Sequence, residues 1–276
     1  MNCRETLARA RHALEKSGIE NASLEGEILL RHVTGMDRAN LFANLDKELD
    51  SREFLQFTIL LRHRLKREPS AYITGHKEFY GMDFYVDPRV LIPRPETELL
   101  VEKAIEYIQK YHYHSMADIG TGSGCIAVST GKAITGINIF ASDCSEFALE
   151  IAKQNIKTHC MEKRIKILKG NLLEPLAKPV DIIIANLPYV KKAEVNLPYE
   201  PKIALDGGSD GLDKIKELIK QSAGKLKKKG SLLLEVGQGQ AKEVQSILHN
   251  IFEQAEIKVY KDLGGIERVI AARLTA

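Results

Sequence analysis

Apolar residues recur at helical spacing through the first quarter of the chain. Three stripes rich in leucine repeat every three or four residues, over residues 7–14, 24–33 and 54–65. Residues three and four apart share one face of a helix, so each stripe predicts an amphipathic helix. Ser23 and Ser51 stand where the N-caps of the second and third helices are expected. No cluster of chemistry-bearing residues interrupts the stripes, and we therefore predict a small helical domain over residues 1–70 that docks a substrate.

The pattern changes over residues 71–95, which read AYITGHKEFYGMDFYVDPRVLIPRP. Aromatic and β-branched residues alternate around Gly75 and Gly81, an arrangement typical of two strands joined by a turn. We interpret this segment as a hairpin linker between two domains. A helical stripe over residues 96–111 follows and begins the larger domain, which we extend over residues 96–276.

From residue 116 onward, short apolar runs alternate with helical patterns. The runs predict strands over residues 116–119, 137–141, 165–168, 182–185, 232–236, 257–260 and 268–272. Helical patterns occupy residues 126–132, 147–157, 213–226 and 241–252. The lysine-rich run 225–229 is interpreted as a solvated helix end that Gly230 caps.

This alternation predicts an α/β fold with a mostly parallel sheet of seven strands and helices on both faces. Only residues 261–267 separate the last two strands. A parallel connection needs a crossover of a dozen or more residues, so the last strand is predicted to be antiparallel.

Composition narrows the class of protein. Apolar residues make up 44% of the 276 residues, and 40 basic residues face 37 acidic ones, for a formal net charge of +3. Such a near-balance argues against a surface that grips nucleic acid throughout. The four cysteines, Cys3, Cys125, Cys144 and Cys160, have neither metal-ligand nor disulfide spacing. With no secretory signal and no apolar run of membrane-spanning length, we expect a cytoplasmic protein without a metal.

A glycine-rich loop joins the first long strand of this domain to its helix. It reads ADIGTGSGCIA, with Gly120, Thr121, Gly122, Ser123 and Gly124 between strand and helix. Glycines let a ligand approach the backbone, and the following helix turns its N–H groups toward that ligand. The spacing G-x-G-x-G differs from the G-x-G-x-x-G of dinucleotide-binding proteins. Asp118, just before the loop, could meet an ammonium group of the ligand.

Polar residues at the ends of the next two strands suggest a nucleoside ligand. Asp143 ends the second strand, 23 residues after Gly120, at about the distance of the acid that binds ribose hydroxyls in nucleotide-binding folds. Its alternative role is to cap the next helix, for which Ser145 competes. Asn171 and Leu172 follow the third strand, where the first could bond to an adenine ring and the second could contact its face.

The fourth strand, DIIIA, ends abruptly in Asn186-Leu187-Pro188-Tyr189. An Asn-x-Pro segment is ordinarily a turn. In a doubly wound sheet, however, strand ends line the crevice in which ligands bind. Asn186 is therefore expected to face the same cleft as Gly120 and Asp143.

ADIGTGSG, ASD and NLPY in this order resemble the class I methyltransferases that use S-adenosylmethionine and methylate amino groups. Four longer blocks, PSAYITGHKEFYGMDFYVDPRVLIPRPETE, YEPKIALDGGSDGL, LLLEVGQGQ and DLGGIERV, are similar to the release-factor glutamine methyltransferases. The resemblance covers essentially the whole chain. It implies the seven-stranded class I methyltransferase sheet and transfer of a methyl group to the glutamine of the Gly-Gly-Gln loop of peptide-chain release factors. Leu187 departs from the proline usual there, and Asn171 from the usual aspartate.

The resemblance also implies roles for the strand-end residues. The Asn186 side-chain oxygen and the Leu187 carbonyl would accept the two N–H groups of the target amide, which are both donors. Pro188 would hold the turn, and Tyr189 would stack on the planar amide. Asp118, the loop residues, Asp143, Asn171, Leu172 and Asn186 would bind S-adenosylmethionine.

Two other hypotheses remain open at this point. Asn-Leu-Pro-Tyr also resembles the motif of ribosomal RNA adenine dimethyltransferases, so an enzyme acting on adenine N6 in RNA or DNA is the alternative of the same chemistry. The near-neutral charge and the lack of a basic recognition segment count against a nucleic-acid substrate. The third hypothesis is a module without catalysis that binds S-adenosylmethionine or associates with the ribosome, and the presence of Asn186, Pro188 and Tyr189 argues against it.

Overall fold

A computed structural model describes residues 1–275, which form two compact units, the first over residues 1–76 and the second from Lys77 onward. The first unit contains the helices α1 (Cys3–Lys16), α2 (Ala22–Thr34), α3 (Arg38–Ala43), α4 (Ser51–Leu65) and α5 (Ser70–Thr74). The three helices predicted from the apolar stripes correspond to α1, α2 and α4. Their buried faces meet in a small core that includes Leu29, Leu30, Leu41 and Phe57.

The helix starts of the first unit differ from the predicted caps. Asp50, not Ser51, caps α4, and it forms a capping box in which Glu53 bonds back to the Asp50 backbone. A carboxylate is a strong acceptor for the free N–H groups of a first turn. Ser23 lies inside α2. Asn21 precedes this helix, has a left-handed backbone conformation, and forms no side-chain hydrogen bond to the first turn. Both predictions were wrong because several capping residues stood next to one another.

The second unit contains, within the described residues, the helices α6 (Thr97–Tyr111), α7 (Cys125–Ala133), α8 (Glu146–Thr158), α9 (Asp213–Ser222) and α10 (Ala241–Ile251). Its strands, of which the first begins at the boundary, are β1 (His76–Phe79), β2 (Met82–Tyr85), β3 (Ser115–Ile119), β4 (Asn138–Asp143), β5 (Ile165–Lys169), β6 (Val180–Ala185), β7 (Leu226–Glu235), β8 (Glu256–Lys261) and β9 (Glu267–Arg273). Strands β1 and β2 pair as a hairpin around Gly81. The predicted hairpin was too long, because residues 70–74 are helical.

The remaining strands form one seven-stranded sheet in the order β5-β4-β3-β6-β7-β9-β8. Strands β3 to β7 pair in parallel, whereas β9 runs antiparallel between β7 and β8. The sequence-based prediction of a mostly parallel sheet with an antiparallel last strand is therefore confirmed.

The sheet is buried on both faces. Along β6, Ile182 and Ile184 belong to one apolar cluster, whereas Ile183 and Ala185 belong to another. Neighbouring side chains of a strand point to opposite faces, so the continuous run of isoleucines reflects helices on both sides. This burial fixes the register of the central strands and, with it, the positions of their carboxyl ends.

The lysine-rich run is a strand, contrary to the prediction. Helix α9 ends at Ser222, and residues 226–235 form β7, the longest strand described within residues 1–275. Three lysines in succession do not fit a half-buried strand by their own preference. Here Lys227, Lys228 and Lys229 extend past the covered part of the sheet and are exposed. Pairing of the flanking residues, Leu226 with β6 and the residues from Ser231 onward with β6 and β9, overrides the local preference.

Candidate active site

A cavity of about 420 Å³ opens at the carboxyl ends of β3, β4, β5 and β6. The chain runs outward from β3 through β4 to β5, then returns to place β6 on the other side of β3. Ligands in open α/β sheets bind at such a reversal of strand order. The cavity is lined by the glycine loop, by Asp143, Asn171 and Leu172, by Asn186 to Pro188, and by parts of residues 89–97 and 201–206.

Three glycines shape the loop through their backbone. Gly120, Gly122 and Gly124 all have positive φ, at +72°, +54° and +82°. Residues other than glycine rarely adopt such angles. A Cβ on Gly120 would lie 3.0 Å from Leu187 Cδ2, and one on Gly124 would lie 3.3 Å from the backbone of Ala152. The glycines therefore serve both the turn and close packing.

Asp118 lies behind the loop and does not line the cavity. Its side chain is fully buried, and its Oδ2 accepts a hydrogen bond of 2.6 Å from the Thr121 hydroxyl. Its other oxygen has no hydrogen-bond partner within residues 1–275. Burial raises the pKa of Asp118 to about 7. The position predicted to meet an ammonium group thus contacts the loop itself.

Asp143 joins the end of β4 to the glycine loop. Its carboxylate accepts hydrogen bonds from the backbone N–H groups of Gly122 (3.0 Å) and Ser145 (2.9 Å). Ser145, not Asp143, caps α8, because its hydroxyl accepts from the N–H of Ala148. Asp143 lines the cavity, and burial raises its pKa. Of the two roles left open by the sequence, the cap is thereby assigned to Ser145.

Asn171 and Leu172 both line the cavity beyond β5. The Asn171 amide nitrogen donates to Glu217 Oε1 at 2.6 Å, which holds the side chain from outside. Leu172 is buried with a positive φ of 47°, and its carbonyl accepts from the Ser142 hydroxyl. The left-handed backbone conformation of Leu172 thus places its apolar side chain at the cavity wall.

The turn after β6 brings Asn186, Leu187 and Pro188 to the cavity wall. The Asn186 amide nitrogen donates to the Thr97 hydroxyl at 3.0 Å. Leu187 is 4% exposed and would contact a Cβ on Gly120, so its side chain fills the space under the loop. Asn186 and the glycine loop are thus brought together as the sequence predicted.

Tyr189 differs from its neighbours because it does not line the cavity. Its hydroxyl donates to Glu235 Oε1 at 3.4 Å, and its carbonyl accepts from the Gln240 side chain at 3.0 Å. Burial, with Glu235 nearby, raises the pKa of Tyr189 to about 12. The ring is therefore held from the β7 side of the turn.

The segment ALDGGSDGL packs directly against this turn. A Cβ on Gly207 would lie 2.7 Å from the Pro188 carbonyl oxygen, and one on Gly211 would overlap the Tyr189 carbonyl. Gly211 also has a φ of +80°. Only glycine fits at these two positions, which explains why the block is so rich in it.

Four functional candidates were missed or left undecided by sequence reasoning. Thr97 bonds to Asn186, and Glu235 bonds to Tyr189. Arg94 forms an ion pair with the buried Glu200, which also accepts from the backbone of Ile92. This pair lies within the second unit. An acid inside the apolar run LLLEVG was the available signal for Glu235.

Across residues 1–275, no three histidine, cysteine, aspartate or glutamate side chains come together in a way that could hold a metal ion. Over the same range, every helix is too short or too polar to traverse a lipid bilayer.

Comparison with known proteins gives matches along the whole chain. Residues 5–75 match the PrmC N-terminal domain, and residues 95–262 match the methyltransferase small domain. The release factor glutamine methyltransferase of Geobacter sulfurreducens is 38% identical over 98% of this chain and 96% of its own. The enzyme of the same name from Clostridium acetobutylicum is 36% identical over 99% and 98%. A methyltransferase from Pyrococcus furiosus, 14% identical, shares the fold over 71% of this chain and 91% of its own, with a TM-score of 0.53.

Proposed function

This chain belongs to the family of release factor glutamine methyltransferases, and we propose how its cavity performs that reaction. It is an enzyme that transfers a methyl group to the side-chain amide nitrogen of the glutamine in the Gly-Gly-Gln motif of peptide-chain release factors. The observation that carries this proposal is a single cavity lined both by the glycine loop and by Asn186. We call the backbone of Gly120, Gly122 and Gly124 the glycine cradle.

We infer that S-adenosylmethionine is the methyl donor. Three glycines with positive φ turn the backbone along the cavity wall, and Asp143 offers a carboxylate for ribose hydroxyls. Asn171 and Leu172 stand where an adenine ring would lie. Asp118 would act on the cofactor through Thr121 and the loop, since it does not line the cavity. When bound, the sulfonium group supplies an already activated methyl.

The chain's own task is to orient a poor nucleophile. The lone pair of a primary amide is delocalised, and both of its N–H groups are donors. The Asn186 side-chain oxygen and the Leu187 carbonyl would accept these two hydrogens and align the nitrogen with the methyl carbon. Leucine provides the same backbone carbonyl as proline would, and Pro188 restricts Leu187 to extended conformations. Alignment of this kind can lower a barrier by roughly 7–11 kcal/mol.

The reaction is an in-line displacement at the methyl carbon. The new C–N bond forms as the C–S bond breaks, S-adenosylhomocysteine leaves, and the excess proton of the nitrogen passes to water. Tyr189 does not line the cavity, and we propose that it supports the turn from the β7 side, where its hydroxyl is engaged by Glu235.

We also propose that the protein acts in the cytoplasm, because its proposed substrate, a release factor, belongs to the translation machinery. The four cysteines, Cys3, Cys125, Cys144 and Cys160, are all free thiols. We propose that nucleic acid is not the substrate, in keeping with the near-balance of charge.

A methyl-transfer assay with labelled S-adenosylmethionine tests the proposed function. The acceptors are an intact release factor, the same factor with its Gly-Gly-Gln glutamine changed to alanine, and unmodified ribosomal RNA or duplex DNA. We expect label on the intact factor alone. Label on the nucleic acid alone would show that the enzyme acts on adenine and that Asn-Leu-Pro-Tyr, not the longer blocks, indicated the substrate.

A further inference from the structure

A buried carboxylate lies beside the Asn-Leu-Pro-Tyr turn and bonds to its tyrosine. Glu235 ends β7, and it is 1% exposed. Ala185 pairs with Leu234 across the two strands, so Asn186 and Glu235 leave neighbouring strands side by side. Glu235 Oε1 accepts from the Tyr189 hydroxyl, whereas Oε2 has no hydrogen-bond partner within residues 1–275. A buried carboxylate is costly unless its location serves a purpose.

Thr97 bonds to Asn186 and lies within electrostatic reach of this carboxylate. It is the first residue of α6, 2% exposed, and its Oγ1 accepts from the Asn186 amide nitrogen at 3.0 Å. The Thr97 hydroxyl is also close enough to Glu235 to lower the pKa of that carboxyl. A hydroxyl has a single proton. Because its oxygen accepts from Asn186, the proton is available to Glu235.

The direction of these hydrogen bonds decides which face Asn186 shows to a substrate. An ionised carboxylate only accepts, so it commits the Thr97 proton to itself. Thr97 can then only accept from Asn186, which fixes the Asn186 nitrogen toward Thr97. The Asn186 oxygen is left for the donors of the target amide. A reversed side chain would present N–H groups to N–H groups, which cannot bond.

We propose that Thr97 and Glu235 are positioning residues that lock the orientation of the Asn186 amide, and that Glu235 fixes Tyr189 in the same way. This inference rests on the proposed function, because it assigns the locked amide to the acceptance of the target glutamine. Neither residue touches the reacting atoms in this account. Both act through the side chains that they hold.

The ionisation of Glu235 gives the lock a pH dependence. Burial raises the pKa of Glu235 to about 7; Thr97, Arg268 and Tyr189 oppose this rise, while Glu96 adds to it. Below that pH the carboxyl gains a proton that it can donate to Thr97. The direction of the hydrogen bonds that link Glu235, Thr97 and Asn186 is then no longer fixed. Activity at saturating substrates should therefore fall as the pH drops through about 7.

Four variants separate positioning from ordinary structural support. Thr97→Val removes the acceptor, and Thr97→Ser restores it. Glu235→Gln replaces a pure acceptor with a group that can donate to Thr97, which frees the Thr97 proton to reverse Asn186. Thr130→Val is the matched control, because Thr130 is also fully buried and its hydroxyl has no hydrogen-bond partner within residues 1–275.

The measurements are kcat on a release factor, affinity for S-adenosylhomocysteine, and the pH profile. We expect Thr97→Val and Glu235→Gln to lower kcat by about 10–100-fold with little change in S-adenosylhomocysteine affinity, as for loss of oriented transition-state contacts. Thr97→Ser should return to within about threefold of the wild type, and Thr130→Val should match it. The acid limb near pH 7 should vanish in Glu235→Gln.

Two outcomes would overturn the lock while leaving the proposed function intact. One is an active wild type whose Thr97→Val variant keeps its kcat, and the other is a Glu235→Gln variant with unchanged rate and pH profile. A wild type that does not methylate the factor would instead refute the proposed function. In that case, side-chain amide exchange of Asn186 by nuclear magnetic resonance still tests the contact, with faster exchange expected in Thr97→Val only.

Discussion

The two halves of the cavity are built in different ways. On the β3 side, backbone conformation makes the site: three glycines with positive φ, and N–H groups of Gly120 and Thr121 that bond to the Ser142 carbonyl. On the β6 side, side chains make it, and Asn186 depends on Thr97, 89 residues away. A backbone cradle is specified locally, whereas an oriented amide needs support from other elements of the fold. This division predicts that mutations of one half affect cofactor binding and those of the other affect transfer.

The largest effect is expected on the side-chain half. Asn186→Ala removes the acceptor for the target amide, and kcat should fall by about 100–1,000-fold, as with other losses of one oriented polar group. Affinity for S-adenosylhomocysteine, measured by calorimetry, should change much less. Asn138→Ala, at an exposed position where β4 begins, serves as the control. An equal loss of both properties would reassign Asn186 to the cofactor.

The glycine cradle should show the opposite pattern. Gly120→Ala forces a side chain into positive φ and against Leu187, so affinity for S-adenosylhomocysteine should fall by about 10–100-fold, a change that corresponds to the usual strain of such a residue. Gly136→Ala is the matched control, because Gly136 has a φ of +83° with open space around its Cβ position. It should lower thermal stability without weakening cofactor binding. Similar losses of affinity in both would show that general strain, not the cradle, is responsible.

Mutation of Asp143 tests whether a side chain also contributes to cofactor binding in the β3 half of the cavity. Asp143→Ala removes the acceptor for Gly122 and the proposed partner of the ribose, so S-adenosylhomocysteine affinity should fall about tenfold, in line with the loss of a charged hydrogen bond. Ser145→Ala removes only the cap of α8 and should cost about 1 kcal/mol of unfolding free energy. If Asp143→Ala binds as tightly as the wild type, the ribose contact is refuted.

The smallest effect concerns the position that departs from the family pattern. Leu187→Pro keeps the backbone carbonyl, so kcat should stay within about threefold of the wild type despite the rigid ring. Leu187→Ala should instead lower the unfolding free energy by about 2–5 kcal/mol, because Leu187 is a buried side chain. A large gain in kcat for Leu187→Pro would show that rigidity at this position limits the enzyme.

The same division explains which parts of the molecule could be predicted from the sequence. Ile182 to Ala185 form an unbroken apolar run, and Gly120 to Gly124 follow a strand, so the sheet and the backbone half of the site followed from local pattern. The short connection at residues 261–267 correctly predicted the antiparallel last strand. These features depend on burial and on turn geometry, and both can be predicted from residues that are close together in the sequence.

The supporting residues could not be predicted in that way. Thr97 looks like any helix start, and its bond to Asn186 exists only because α6 lies beside the end of β6. The strand over Lys227–Lys229 depends likewise on the residues that flank it, because Leu226 pairs with β6 and the residues from Ser231 onward pair with β6 and β9. Contacts between distant segments carry this information, and a single sequence does not display them.

The most direct test of the proposed glutamine methylation is to locate the methyl group on the product. A release factor is methylated by the enzyme, digested, and examined by fragmentation mass spectrometry, alongside a factor whose Gly-Gly-Gln glutamine is changed to glutamate. We expect one methyl group on the side-chain nitrogen of the glutamine and none on the glutamate variant, because a carboxylate has no N–H to donate to Asn186 and Leu187. Methylation of the glutamate variant at the same rate, or of another residue, would contradict it.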